Sequence, residues 1–253
     1  MGQKIKVFAF DGDGVLYKGK RIIKQTEEIV KMLQKKGFSV YLASNTSSHT
    51  NQHLNNLLMG LIDKEHIITA ADLMLEYVEE HYKYVWPITT KTIMDEIIKR
   101  GLKIDGKKAE AVCIGFSKRY SFKRFSIGLR LLFNENVDLI SANIDRYYIR
   151  HDGICIGNGF ITKAFESTLN RKAIYFGKPN PEMLFRIAKK EGIKTSEIAL
   201  IGDMMETDVK AAKNAGCLSI YVNNNVPQLE ILKPDIETDI KNLKNVIETL
   251  IEV

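Results

Sequence analysis

The sequence predicts an α/β protein: a doubly wound parallel sheet with helices on both faces, into which a second α/β unit is inserted. Strand-like and helix-like segments alternate over 1–72 and again over 173–253, and this alternation is typical of parallel sheets. Residues 73–172 break the rhythm with more closely spaced strand-like runs. We therefore expect a core built from 1–72 and 173–253, and an inserted α/β domain at 73–172.

The N-terminal elements follow from short apolar runs and helical periodicity. The run KIKVFAF has the length of a buried strand. In QTEEIVKMLQKKG, the residues Ile29, Val30 and Leu33 form an apolar stripe, and Gly37 occupies the position that ends a helix. FSVYLASN predicts a second strand, 50–61 a helix, and HIITAADLMLEYV a short strand followed by a helix.

The C-terminal segment repeats this alternation. AIYFGKP, EIALIGD and LSIYVNN are predicted strands of the core. NPEMLFRIAKKEG and TDVKAAKNAG are predicted helices, closed by Gly192 and Gly216. In the middle of the chain, VWPIT, EAVCIGF, VDLISAN and RYYIRHDG predict strands of the inserted unit, and helices are expected at 90–100 and 122–135.

Polar residues follow several predicted core strands directly. They are Asp11 and Asp13, Ser44 and Asn45, Lys178, and Asp203 with Asp208 shortly after it. In open parallel sheets the ligand site lies beyond the carboxyl ends of the strands. Carboxylates that converge there repel one another unless a cation lies between them. Oxygen ligands without His or Cys favour Mg²⁺, and Lys178 with a hydroxyl offers a site for an anion. A metal and an anion site around an exposed carboxylate are what phosphoryl transfer through an aspartyl intermediate requires.

The stretch DGDG at 11–14 has other interpretations. A calcium loop that begins at Asp11 would place Val15, Leu16 and Ile22 at positions that need an oxygen ligand, a glycine and an acidic residue, so this interpretation fails. A simple surface turn is compatible with the two Asp-Gly pairs. The other strand ends are needed to choose between a turn and a reactive site.

Composition places the chain among ordinary globular proteins. Of its 253 residues, 45% are hydrophobic and 27% charged, and no apolar run approaches a membrane span. The start of the sequence does not have the organisation of a signal peptide, and three scattered cysteines fit a reducing compartment, so we expect a cytoplasmic protein. The net charge of +6 is spread along the chain, which argues against a nucleic-acid partner. A homo-oligomer is compatible with the sequence.

Four stretches resemble the motifs of a known family. DGDGVLYKG, ASNTS, FGKPNPEMLF and IGDMMETDVKAAKNAG are similar, in order and content, to the four motifs of the haloacid dehalogenase-like (HAD) hydrolases. The similarity is greatest to the NagD / p-nitrophenylphosphatase branch and extends over nearly the whole chain. It implies a Rossmann-like core with an inserted α/β cap domain, and a Mg²⁺-dependent phosphatase that acts on a small-molecule phosphomonoester.

The resemblance also implies roles for individual residues. Asp11 would be the nucleophile that attacks phosphorus, and Asp13 would protonate the leaving oxygen and then activate water. The metal would be held by the Asp11 carboxylate, the backbone carbonyl of Asp13 and the Asp203 carboxylate. Asp208 would orient Lys178 or a water on the metal.

The same resemblance assigns residues to substrate binding. Ser44, with help from Asn45, would hold the transferring phosphoryl group, and Lys178 would neutralise its charge. Three residues of the cap would set substrate specificity: Asn143, Asp145 and Arg146. Two departures from the family pattern stand out in the sequence. Gly12 replaces a bulkier residue, which predicts a looser loop, and Ile144 replaces the usual Pro in the sequence NID.

Two other functions fit parts of the pattern. A receiver-like phospho-acceptor module also uses an Asp cluster, Mg²⁺ and a Lys, but its acidic pair would precede the acceptor strand. A non-catalytic protein that binds phosphate or a sugar phosphate would explain the anion site but not the pair Asp11 and Asp13. Turnover of p-nitrophenyl phosphate separates both from a phosphatase.

Overall fold

The structure is a computed structural model that describes residues 4–119, 121–150 and 153–252. In chain order its strands are β1 Val7–Phe10, β2 Tyr17–Lys18, β3 Arg21–Ile22, β4 Ser39–Ser44, β5 Ile67–Thr69, β6 Tyr84–Ile88, β7 Lys103–Ile104, β8 Ala111–Ile114, β9 Asp138–Ser141, β10 Tyr147–Arg150, β11 Gly153–Ile156, β12 Ile174–Tyr175, β13 Ile198–Gly202, β14 Leu218–Val222 and β15 Ile236–Thr238. Its α-helices are α1 Lys24–Lys35, α2 Asn51–Leu57, α3 Ala70–His81, α4 Lys91–Lys99, α5 Phe122–Leu132, α6 Asn158–Leu169, α7 Glu182–Glu191, α8 Lys210–Ala215 and α9 Leu243–Glu252.

These elements form two compact units. The first contains the chain up to Ser44, Asn51–Ile68 and the chain from Lys178 onward. The second contains Asn45–Thr50 and Thr69–Gly177. Each unit has its own sheet and its own hydrophobic core.

The first unit is built on a six-stranded sheet with the order β15-β14-β13-β1-β4-β5. Strand β1 pairs in parallel with β4 on one side and with β13 on the other, and all four residues of β1 are buried. The chain first adds β4 and β5 on one side of β1, and later adds β13, β14 and β15 on the other side. The strand order therefore reverses between β1 and β13. Ligands of open α/β sheets bind at this point.

The predicted amphipathic helix near the N-terminus is confirmed. Helix α1 buries Ile29, Val30 and Leu33 against the core of the first unit. Gly37 follows its last turn with a φ of 82°, a left-handed conformation that glycine adopts without steric cost. The 3.6-residue period was therefore sufficient to identify both the helix and its buried face.

The second unit contains a five-stranded sheet with the order β12-β9-β8-β6-β7. The pairs β6–β7, β6–β8, β8–β9 and β9–β12 are all parallel. A separate antiparallel hairpin consists of β10 and β11. The α/β class and the presence of two units with parallel sheets agree with the prediction from the sequence.

The structure corrects the placement of the strand in AIYFGKP, which the sequence analysis assigned to the core sheet. Ile174 and Tyr175 pair with Ile140 and Ser141 of β9, in the sheet of the second unit. A strand of two residues carries no local signal of the sheet that accepts it, because parallel pairing depends on residues distant in sequence. Lys178 nevertheless belongs to the first unit, directly after Gly177.

Two further features were not anticipated. The hairpin β2–β3 follows the DGDG loop at once, and β15 adds an edge strand to the core sheet. Both are too short for periodicity to reveal. No helix in the described ranges is both long enough and apolar enough to cross a bilayer.

Candidate active site

The loop after β1 begins at the centre of the core sheet. The Asp11 N–H donates to the carbonyl of Ile201 at 2.7 Å, so the strand pairing with β13 continues up to the first carboxylate. The loop then turns back on itself, since the Tyr17 N–H donates to the Gly12 carbonyl at 3.0 Å. Gly14 has a φ of 90°, which an L side chain rarely adopts. Asp11 is thereby fixed at the end of a buried strand.

Lys178 lies between two carboxylates. Its Nζ is 2.5 Å from Oδ1 of Asp11 and 2.6 Å from Oδ1 of Asp208. Only 1% of the lysine side chain is exposed. A buried ammonium needs such partners, because burial without them is strongly unfavourable.

Asp203 follows β13 and is also buried. The side-chain amide of Asn224 donates to the Gly14 carbonyl at 2.7 Å and lies 3.5 Å from Oδ2 of Asp203. A Cβ at Gly14 would lie 2.1 Å from Oδ2 of Asp203. Since real Cβ atoms do not make such contacts, the loop after β1 approaches Asp203 this closely only because residue 14 is glycine.

Asp208 lies in a π-helical turn, Met205–Val209, that precedes α8. Its Oδ2 accepts a hydrogen bond from the Met204 N–H at 3.0 Å. Gly202 provides the space for it, because a Cβ there would lie 2.2 Å from Cβ of Asp208. π-helical turns are rare and occur mostly at functional sites.

The buried carboxylates affect one another's protonation. Burial raises the pKa of Asp11 to about 6, with the charge of Asp208 adding to the rise and Lys178 opposing it. Burial, then the charges of Asp11 and Asp208, raise the pKa of Asp203 well above its ordinary value. Burial alone would lower the pKa of Lys178, but the two neighbouring carboxylates raise it, so the lysine stays charged.

Asp13 has different surroundings from Asp11. It is exposed, and its Oδ1 lies 3.4 Å from the Gly19 N–H. Loss of hydration raises its pKa, and the hydrogen bond from Gly19 opposes the rise. Two carboxyls separated by one residue thus differ in access to solvent, and only Asp11 is paired with Lys178.

Ser44 ends β4, the strand adjacent to β1, and is buried. The parallel pairing of β1 with β4 brings the end of β4 to the same edge of the sheet as Asp11. The serine hydroxyl thus lies at the edge from which the carboxylates also project.

The carboxylates form a group that could hold a metal ion. Oxygens of Asp11, Asp203 and Asp208 all lie within 4.8 Å of one another. The donors are all carboxylate oxygens, which suit a hard divalent cation. Two of the predicted ligands, Asp11 and Asp203, belong to this group. The third carboxylate is that of Asp208, which is also paired with Lys178.

Comparison with protein families agrees with this geometry. A family model described as haloacid dehalogenase-like hydrolase matches residues 8–103, and a second, described as HAD-hydrolase-like, matches 175–252. Together they cover more than half of the chain and include the strands that carry Asp11, Ser44 and Asp203. The chain belongs to the haloacid dehalogenase-like hydrolases.

Individual relatives of this HAD-like hydrolase match it nearly from end to end. The 5′-nucleotidase YutF of Bacillus subtilis is 25% identical over 92% of this chain and 92% of its own. The structure of a p-nitrophenyl phosphatase from Archaeoglobus fulgidus superimposes with a TM-score of 0.86 at 24% identity, and it covers 96% of this chain and 100% of its own. NagD from Escherichia coli K-12 gives a TM-score of 0.79 at 23% identity, with 94% and 98% covered. Both structures share the fold.

The other residues predicted to bind the substrate of the HAD-like hydrolase lie in the second unit: Asn45, Asn143, Asp145 and Arg146. The Asn45 side chain donates to Oδ1 of Asp145 at 2.7 Å, and the Asn143 side-chain amide donates to the Asn45 carbonyl. Asn143 is buried, whereas Arg146 is exposed. The structure therefore brings Asn45, Asn143 and Asp145 together as one hydrogen-bonded group, and the roles predicted for them in substrate binding stay predictions.

Several residues of the site were missed by the sequence analysis. Besides Asn224, Gln228 accepts from the Met205 N–H at 2.8 Å and donates to the Asp203 carbonyl at 3.0 Å, so it fixes the backbone at the start of the π-helical turn. Asn224 was detectable, because it ends LSIYVNN at the same edge of the sheet as Asp203. Gln228 and Tyr17 lie in a loop and in a two-residue strand, where no pattern marks them.

Proposed function

We propose that this HAD-like hydrolase is a Mg²⁺-dependent phosphatase that hydrolyses small phosphomonoesters through an aspartyl-phosphate intermediate on Asp11. The observation that carries the proposal is the position of Lys178, buried between Asp11 and Asp208 with Asp203 alongside. A buried cation and a group of carboxylates at a strand end suit the transfer of a phosphoryl group, in which negative charge must be stabilised. The relatives named as a 5′-nucleotidase and a p-nitrophenyl phosphatase support the same class of reaction.

In this mechanism an oxygen of Asp11 attacks phosphorus and the bond to the leaving oxygen breaks. The ion pair with Lys178 holds Asp11 in the ionised, nucleophilic form despite the burial that raises its pKa. Asp13 is exposed, and its raised pKa suits a group that carries a proton. It would donate this proton to the leaving oxygen and then accept one from the water that hydrolyses the aspartyl phosphate.

The other residues of the site would bind the transferring phosphoryl group and neutralise its charge. Ser44 would donate to an oxygen of the transferring group, and Lys178 would offset the charge of that group together with that of Asp11. Mg²⁺ bound by Asp11, Asp203 and the Asp13 carbonyl would supply further positive charge next to the phosphoryl oxygens. Asp208 would keep Lys178 in place. The inserted unit is proposed to be the cap, with Asn143, Asp145 and Arg146 as candidates for specificity.

The test uses p-nitrophenyl phosphate with Mg²⁺ and three variants. We expect Asp11→Asn to abolish turnover, because its amide is a poor nucleophile. p-Nitrophenolate needs little help from an acid to leave, so Asp13→Asn should form the aspartyl phosphate and hydrolyse it slowly, which gives a burst of about one equivalent of product per protein. Asp63→Asn, an exposed aspartate of the same unit, is the matched control and should retain full activity. Turnover that persists in both Asp11→Asn and Asp13→Asn would exclude the mechanism.

A further inference from the structure

The segment Asn45–Thr50 lies across the carboxyl ends of strands in the parallel sheet of the second unit. Its first residue bonds to Asn143 after β9, its third to Phe116 after β8, and its fourth to Thr90 after β6. These strands are neighbours in the sheet, in the order β9-β8-β6. The segment therefore passes three strand ends in succession.

The contacts at β8 and β6 are specific hydrogen bonds. The Phe116 N–H donates to the Ser47 hydroxyl at 3.0 Å, and the Thr90 hydroxyl donates to the Ser48 carbonyl at 3.3 Å. Gly115 makes room for the segment, because a Cβ there would lie 2.8 Å from the Ser47 carbonyl oxygen. Gly115 is not among the glycines with a positive φ. The close approach of the segment, and not the backbone conformation, therefore requires glycine at this position.

This edge of the sheet is where an open parallel sheet ordinarily binds its ligand. In the second unit, a piece of the protein's own chain occupies the ends of β9, β8 and β6. These strand ends therefore hold the segment Asn45–Thr50, and through it they can influence the residue that comes directly before the segment. That residue is Ser44, the last residue of β4 and the proposed donor to the phosphoryl group.

Asn143 makes the first of these contacts, and both ends of its side-chain amide are used. Its Oδ1 accepts from the Asp145 N–H at 3.3 Å, and its Nδ2 donates to the Asn45 carbonyl. Because an N–H only donates and a carbonyl only accepts, these two partners fix the orientation of the amide. The Asn143 carbonyl accepts from the Asn158 side chain at 3.0 Å and from the Ser141 hydroxyl at 2.7 Å. Only 4% of Asn143 is exposed, so its contacts are almost entirely with the protein itself.

We propose that Asn143 is a positioning residue for the phosphoryl transfer: it holds the Asn45 carbonyl and thereby fixes the position of Ser44. Consecutive Cα atoms are about 3.8 Å apart, so a displacement of Asn45 is passed directly to the serine. The inference rests on the proposed function. It gives Asn143 a role different from the substrate specificity that the family resemblance implies, and it leaves Asp145 and Arg146 as the candidates for specificity.

The first experiment replaces the donor of Asn143 by an acceptor of the same shape. Asn143→Asp keeps an oxygen for the Asp145 N–H but turns a second oxygen towards the Asn45 carbonyl, and two acceptors repel each other. We expect kcat/KM to fall about three- to tenfold, the range of one hydrogen bond, and by the same factor for p-nitrophenyl phosphate and glycerol phosphate. Relative to wild-type protein at the same pH, the loss should shrink towards pH 5, because a protonated carboxyl regains a donor.

Tyr82→Phe is the matched control. It removes a hydroxyl that donates to Oδ2 of Asp138 at 2.7 Å, at the amino end of β9, whereas Asn143 follows the carboxyl end of the same strand. This variant should leave kcat/KM unchanged for both esters. Equal losses from Asn143→Asp and Tyr82→Phe would overturn the inference, because any damage to the second unit would then lower activity. A loss that differs between the two esters would also overturn it, since Asn143 would then determine specificity.

The second experiment is a double-mutant cycle with Ser44→Ala. If Asn143 acts through the serine, Asn143→Asp should have little further effect in the Ser44→Ala background. Equal losses in the wild-type and Ser44→Ala backgrounds would contradict the proposal. If Asn143→Asp protein does not fold, Asn143→Ala, which removes the donor without adding a charge, takes its place in the cycle.

Binding of orthophosphate in the presence of Mg²⁺, measured by calorimetry, gives the same cycle without turnover. A loss of phosphate affinity in Asn143→Asp that disappears in the Ser44→Ala background would support the positioning role, and a loss that persists there would refute it. Wild-type protein that binds phosphate but hydrolyses neither ester would refute the proposed function instead, and the binding cycle would still decide the role of Asn143.

Discussion

The side-chain amide of Asn45 donates a hydrogen bond to Oδ1 of Asp145 at 2.7 Å, although the two residues are 100 positions apart in the sequence. Asn143 reinforces this contact by donating to the Asn45 carbonyl. The segment Asn45–Thr50 therefore belongs to the second unit, while Ser44, directly before it, belongs to the first. The chain passes from one unit to the other within a single peptide bond, next to the predicted phosphate-binding hydroxyl.

Replacement of Asp145, which accepts the hydrogen bond from Asn45, should affect the stability of the protein. We expect Asp145→Ala to lower the free energy of unfolding by about 1–2 kcal/mol, because the Asn45 amide loses its partner in a partly buried position. Asp145→Asn keeps an acceptor oxygen and should cost less. Chemical denaturation measures both. If Asp145 instead contacts substrate, as the family resemblance implies, both variants would change the ratio of kcat/KM between two phosphomonoesters and leave the unfolding midpoint unchanged.

Lys178 should be essential for stability as well as for turnover. Lys178→Met leaves Asp11 and Asp208 buried without a cation, and we expect a loss of about 3–5 kcal/mol in the free energy of unfolding together with loss of hydrolysis. The additional change Asp208→Asn removes one uncompensated charge and should restore part of the stability.

The control for this prediction is a lysine in an exposed ion pair. Lys210 lies 2.8 Å from Glu230, with 41% of its side chain exposed, so Lys210→Met should cost at most about 1 kcal/mol. Equal destabilisation by the Lys178→Met and Lys210→Met variants would contradict the role given to the buried pair.

Metal should stabilise the protein through Asp203. Because Asp11, Asp203 and Asp208 repel one another, Mg²⁺ added to protein stripped with EDTA should raise Tm, by an amount that corresponds to about 2.7 kcal/mol when the metal reaches a hundredfold excess over its Kd. Asp203→Asn should abolish most of this shift, and the exposed control Asp63→Asn should preserve it. An unchanged shift in Asp203→Asn would place the metal elsewhere.

The surroundings of the Glu191 carboxylate lead us to expect a pH dependence of stability that does not involve the active site. Its carboxylate accepts hydrogen bonds from Tyr41 at 2.5 Å and Ser39 at 2.8 Å. Burial alone would raise its pKa, but these bonds outweigh burial and lower it. A group whose pKa is lower in the folded state stabilises the folded protein at pH values above its unfolded-state pKa, which is about 4.3 for Glu. This stabilisation is lost as the pH falls through the lower, folded-state pKa.

Glu191→Gln should therefore reduce the free energy of unfolding by about 1–2 kcal/mol at pH 7. The difference from the wild type should shrink as the pH falls below about 4. Urea denaturation between pH 3 and 7 measures it. Glu28→Gln, an exposed residue on α1, should show no such trend, and a difference for Glu191→Gln that stays constant with pH would contradict the assignment.

The sequence was sufficient to place the central residues of the candidate site at the ends of core strands, because the relevant signals are local. An apolar run followed by a polar residue marks β1 with Asp11, β4 with Ser44 and β13 with Asp203. Parallel pairing then requires these ends to meet at one edge. The sequence placed Lys178 after the predicted strand AIYFGKP, and the family resemblance gave it a role; it lies beside Asp11 and Asp208 although the strand before it joins the other sheet.

The supporting contacts could not be predicted, because they depend on residues far apart in sequence. The Gly12–Tyr17 contact needs the hairpin β2–β3, whose strands are too short for any periodicity. Asn224 reaches the Gly14 carbonyl from the far end of the chain. Packing of this kind is determined by the tertiary structure and leaves no trace in a window of ten or fifteen residues.

The position of β1 in the core sheet has a consequence for synthesis on the ribosome. Val7 pairs with Ser39 on one side and with Ile198 on the other, and the contiguous segment Thr69–Gly177 is translated in between. Domains fold as units while the chain emerges, so this inserted segment can complete its own sheet while one edge of β1 still lacks a neighbour. An unpaired strand edge is prone to aggregation. The nascent chain therefore carries Asp11, the proposed nucleophile, at the end of a strand with an unpaired edge until the segment that bears Asp203 has been translated.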